Sequence, residues 1–141
     1  MSLALYNHAA KDLGLKETPG KGSTPRIRAA IKQSAQWLDG DDSVTSWCGC
    51  IRGTWGLETG TGVPKEHYRA ASWAKWGKAV PLEDTSKWQK GDTIVMGRSG
   101  GNHVTILDRV VGGRAYCLGG NQSNAVTIAP FAVSGIWAVR R

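Results

Sequence analysis

A chain of 141 residues, 40% of them hydrophobic and with no long low-complexity tract, reads as one domain spanning 1–141, large enough to bury a core without metals or disulfides. The net charge of +7 favours polyanionic partners such as an anionic cell envelope, but the cations are scattered and accompany no nucleic-acid-binding signature, so nucleic acid is not expected. Three cysteines, two of them only two positions apart, make a poor disulfide framework and a weak zinc motif, so free thiols are expected and no metal or other cofactor.

Leu5, Ala9, Ala10 and Leu13 recur near helical spacing and predict a first helix over Leu3–Leu13, stopped by Gly14. Glu17 to Gly22 reads as a loop. Thr24-Pro25 is a helix start with proline in the first turn, and Ile27, Ala30, Ile31, Ala35 and Leu38 share one face of the helix that follows. Ser46 is the expected N-cap of a third helix, which carries Cys48 and runs to about Leu57; Gly49 and Gly53 within it permit close backbone approach. After the loop Gly60–Pro64, a short helix is expected over His67–Trp76, stopped by Gly77.

The period then switches to two. Strands are expected at Asp92–Met96, His103–Leu107, Arg114–Leu118, Ala125–Ile128 and Gly135–Val139, separated by glycine-marked turns. Helices followed by an antiparallel sheet of about five strands make an α+β domain without repeat or linker. No apolar stretch approaches the roughly 18 residues of a membrane span, and Met1 to His8 lack the basic and apolar parts of a secretory signal.

Cys48, then His103 at the head of an apolar run, then Asn121 at the end of the next, is the layout of a thiol hydrolase. The cysteine is the nucleophile, the histidine takes its proton, and a polar group orients the imidazole. A cysteine in a helix's first turn sits beside unpaired N–H groups and the positive end of the dipole, which favour the thiolate and can hold an oxyanion. His8 and His67 fall where imidazoles are easily solvated, which leaves His103 as base. Asn121 reaches it across the Gly112-Gly113 hairpin, with Gln122 and Asn124 as weaker substitutes. Cys50 points elsewhere on the helix and reads as packing. Seven tryptophans read mainly as core. Trp47 and Trp73, with the loop Arg98–Gly101, are expected to line a groove in which Arg98 meets substrate carboxylates.

Ser46-Trp47-Cys48, Gly91-Asp92, Asn102-His103-Val104 and Leu118-Gly119-Gly120-Asn121-Gln122 together resemble the CHAP amidohydrolase/peptidase family, and more closely its small phage-lysin members among the papain-like cell-wall peptidases. Leu13 to Gly20 and Ser72 to Gly77 extend the likeness over nearly the whole chain. The resemblance implies a papain-like fold and a peptidoglycan hydrolase that cuts an amide or peptide bond, with Cys48, His103 and Asn121 as its triad. It also implies a monomer without a separate wall-binding domain, made in the bacterial cytoplasm and brought to the wall by a holin-made lesion or another delivery system. Two departures stand out. Gly49-Cys50-Ile51-Arg52 replaces the usual small and aromatic run, and Gly119 stands where many members carry a carboxylate. A basic, tryptophan-rich wall-binding module and a thioester-using transferase are the alternatives.

Overall fold

The computed structural model of the protein describes residues 2–18 and 23–141; the Pro19–Gly22 part of the expected loop lies outside the described residues. Three helices come first: α1 (Ser2–Ala10), α2 (Pro25–Ser34) and α3 (Cys48–Thr59). α1 stops three residues short of Leu13, in a turn closed by Lys11, Asp12 and Leu13 N–H groups on carbonyls 8 to 10. α2 opens with Pro25 and buries Ile27, Ala30 and Ile31, the i, i+3, i+4 stripe of an amphipathic helix. It ends at Ser34 because Ala35 is extended; Leu38 packs on the core from the following turn. α3 closes on Gly60, whose left-handed φ of 71° lets its N–H reach the Gly56 and Leu57 carbonyls.

The expected helix over His67–Trp76 is a turn followed by a 3-10 helix, Ala70–Lys75. Five antiparallel strands follow: β1 (Thr93–Arg98), β2 (Gly101–Val111), β3 (Arg114–Gln122), β4 (Ala125–Ala132) and β5 (Ile136–Arg140). Their order is β4-β3-β2-β1-β5, so the last strand closes beside the first. The α+β order and the five-stranded antiparallel sheet expected from the sequence are therefore present.

Alternation along the strands sorts their side chains between two cores. On one face Ile106, Leu118 and Val126 pack with Leu5, Ile27, Ile31, Trp47, Ile51 and Trp55 of the helical layer. On the other, Ile94, Met96, Leu107, Cys117 and Val139 close with Val80 and Trp88. Ile51 sits at the centre of the first core with no exposed surface, and its truncation to alanine is expected to cost about 2–5 kcal/mol. Gly49 and Gly53 do allow close approach: a Cβ on Gly49 would stand 2.6 Å from the Tyr68 carbonyl, and one on Gly53 would enter the His67 ring. Among the described residues no helix is long and apolar enough to cross a membrane.

Candidate active site

Cys48 is the first residue of α3, and its side chain is buried with Ala70, Trp73, Val95 and Val104. The N-cap is Trp47, not Ser46, and no side chain caps that turn. Ser46 instead accepts a hydrogen bond from Asn121 Nδ2 (3.1 Å). The first-turn N–H groups of α3 thus have no side-chain acceptor, as an oxyanion site requires.

His103 is completely buried in β2, opposite Met96 of β1, with its ring tilted against Phe131 at 5.6 Å. Its Nε2 lies 2.9 Å from Gln122 Oε1, and Nδ1 is buried with no hydrogen-bond partner among the described residues. The Gln122 amide cannot be turned around. Its Nε2 donates to the Cys117 carbonyl (3.3 Å) and to the Thr127 carbonyl (2.9 Å), which only accept. Oε1 must therefore face the ring, Nε2 of His103 carries the proton, and Nδ1 presents a bare lone pair. Burial pulls the His103 pKa down to about 4; the Gln122 bond opposes this and the Arg98 charge adds to it. Near neutral pH the ring is therefore neutral and ready to accept a proton.

Asn121 does not orient the imidazole. A β-bulge shifts the β3–β4 register between Gly119 and Gln122, and Asn121 takes a left-handed φ of 59° within it. A one-residue slip turns the next side chain to the other face, so Gln122 meets His103 while Asn121 turns to Ser46. Two glycines make this arrangement fit. A Cβ on Gly119 would stand 2.6 Å from Gln122 Oε1, and one on Gly120 would stand 2.5 Å from both Trp47 Cζ3 and Ile51 Cγ2. The bulge thus rests directly on the residues flanking Cys48.

The thiol and the imidazole are not hydrogen-bonded to each other. Val104 packs in the Cys48 cluster, whereas alternation directs His103 to the face carrying Ile94 and Met96. The other thiols are set apart chemically. Burial pushes Cys50 up to about 11 and Cys117 up to about 12, and both lie in apolar clusters. Cys50 is packing, as expected.

The expected groove tryptophans are not at a surface. Trp47 is fully buried with its N–H on Glu17 Oε1 (2.8 Å), and Trp73 is fully buried with its N–H on the His67 carbonyl (2.9 Å). Arg98 is half-buried and donates to the Asn121 carbonyl (3.3 Å), bracing the bulge. His67, expected to be solvated, is buried against α3 with its Nε2 3.2 Å from Gln33 Nε2. The aromatic that does face solvent here is Trp137, 45% exposed, whose N–H donates to Asn102 Oδ1 beside His103. Simple alternation gives no signal for it, since it would put Trp137 and Val139 on one face. The β1–β5 register shifts between Val95 and Met96, leaving Trp137 as the extra residue turned out of the ladder while Ile136 and Val139 are both buried. No protein-family model matches this chain, and no curated protein matches it.

Proposed function

We propose that the protein is a cysteine hydrolase of CHAP type, folded as a single papain-like catalytic domain, that cleaves an amide or peptide bond in peptidoglycan. The observation that carries the reading is the His103 imidazole, its proton fixed on Nε2 by Gln122 and its lone pair bare on a buried Nδ1. A buried acceptor without a partner is costly, and a proton-accepting role accounts for its retention. The wall substrate follows from the sequence resemblance.

In the proposed reaction, Nδ1 takes the Cys48 proton and the thiolate attacks the substrate carbonyl. The oxyanion is held by first-turn N–H groups of α3. The tetrahedral adduct collapses to a thioester as His103 protonates the departing amine, and His103 then takes a proton from water for hydrolysis. Gln122 holds the ring throughout. Because alternation puts His103 on the sheet face opposite the Cys48 cluster, the reaction requires the head of β2 to rearrange in the substrate complex so that Nδ1 meets the thiol. A wall substrate puts the site of action beyond the inner membrane, reached through a holin-made lesion or another delivery system.

Purified cell walls test the reading. Cys48→Ala and His103→Ala are expected to abolish release of soluble fragments while circular dichroism stays that of the parent. Full activity in folded Cys48→Ala would sink the mechanism, and mass analysis of the fragments names the bond and separates hydrolysis from transfer. The missing thiol–imidazole hydrogen bond favours one other reading, a wall-binding module on the same scaffold. That reading gains if Cys48 reacts with iodoacetamide no faster than a free cysteine near neutral pH.

A further inference from the structure

We propose that the trough between the outer side of the 3-10 helix Ala70–Lys75 and β5 seats a carboxylate-bearing glycopeptide, with a sugar ring on Trp137 and acidic groups against Lys65, Arg69 and Lys75. This rests on the wall-hydrolase reading and specifies how that substrate is held. The trough encloses about 570 Å³, the size of a sugar-peptide fragment rather than of a single amino acid. Three cations line it and no carboxylate does; Glu66, just outside, pairs with Arg69 at 3.5 Å, with both side chains exposed. Such a lining leaves positive charge uncompensated, and Arg and Lys bind carboxylates well.

Trp137 supplies the apolar wall, and its bond to Asn102 holds the indole at a fixed angle. A flat, anchored, half-exposed aromatic suits the apolar face of a sugar ring. The trough adjoins the segment that packs on the candidate nucleophile. Ala71, Ser72, Ala74 and Lys75 line it, while Ala70 and Trp73 of the same 3-10 helix pack with Cys48. Trp137, on the opposite wall, is hydrogen-bonded to Asn102, which directly precedes His103 in the chain. A strand lying in the trough is therefore separated from Cys48 by the 3-10 helix, whose inner residues Ala70 and Trp73 touch the thiol's cluster.

The test compares Trp137→Ala and the triple variant Lys65→Gln/Arg69→Gln/Lys75→Gln with the parent, each in the full chain and in a Cys48→Ser background. Co-sedimentation with purified sacculi reads binding, and soluble muropeptides read KM and kcat. Trp137→Ala is expected to weaken binding roughly tenfold and to raise KM more than it lowers kcat. The triple variant is expected to lose most binding at low salt and to show a flatter salt dependence than the parent. Melting curves matching the parent exclude unfolding as the cause. Parent-like binding and KM in both variants overturns the proposal. So does loss of parent binding when phosphodiester polymers are stripped from the sacculi, because the anion held would then be phosphate. If the parent releases no fragments from any sacculus, the hydrolase reading fails instead, whatever the binding variants do.

Discussion

The middle of α3 and the head of β2 each bury a nitrogen without a hydrogen-bond partner, and they do so for different reasons. Arg52 has no exposed surface and no paired carboxylate among the described residues; its Nε and Nη2 share Thr93 Oγ1. Its guanidinium lies over Trp73 at 4.2 Å and Trp76 at 5.1 Å, and burial pulls its pKa down to about 9. The spare Nη1 is backed against Gly56, where an added Cβ would stand 3.2 Å away. Stacking on two indoles offsets part of the cost of the buried cation. The spare nitrogen of His103 is a lone pair rather than an N–H, and the neighbouring residue packs with a cysteine. On the proposed function the unmatched nitrogen of His103 serves proton transfer, whereas that of Arg52 belongs to packing between aromatic rings.

The largest effect that would break this contrast concerns the amide that holds the imidazole. Gln122→Leu is expected to lower the rate of fragment release on the order of 10³-fold, because the ring loses its fixed tautomer. Asn121→Ala is expected to stay near the parent rate, since its side chain bonds only Ser46. If Asn121→Ala falls as far as Gln122→Leu, the bulge register does not decide the triad.

Acid stability sharpens the comparison next. His103 has its pKa lowered from 6.5 to about 4 in the folded chain, so between those values the unfolded chain binds the extra proton. Its neutral burial is therefore compatible with full stability above pH 6.5. Stability then falls as pH drops toward 4, by up to about 3 kcal/mol. Urea unfolding at pH 7 and pH 4.5 should show His103→Phe losing less on acidification than the parent. An equal loss in the two proteins would mean that His103 is not held neutral.

The smallest effect is expected at Arg52. Replacing the buried cation by methionine should change unfolding free energy by no more than about 1 kcal/mol in the destabilising direction, or raise stability, because the methionine fills similar volume without a desolvated charge. Fragment release should follow the parent. A folded Arg52→Met protein that no longer cuts would show that the cation serves chemistry, and the two regions would then be alike.

Local periodicity by itself determined much of this protein. The 3.6-residue stripe of α2, a helix carrying Cys48 in its first turn and ending before the Gly60 loop, and the two-residue alternation from β1 onward all depend on neighbours within one element, and each was legible in the residues. The pairing of β2 with β3 through Gly112-Gly113 was legible for the same reason. What only the tertiary structure decided depends on contacts between distant segments. Nothing in Gly119-Gly120-Asn121-Gln122 announces a bulge. It forms because Gly120 must lie flat on Trp47 and Ile51, more than 65 residues earlier in the chain, and that slip puts Gln122 rather than Asn121 on the imidazole. The exposure of Trp137 and the burial of Trp47 and Trp73 were likewise set by tertiary packing. Trp47 and Trp73 are carried by elements that pack onto the sheet and are buried there, whereas Trp137, at the β1–β5 register shift, keeps one face open.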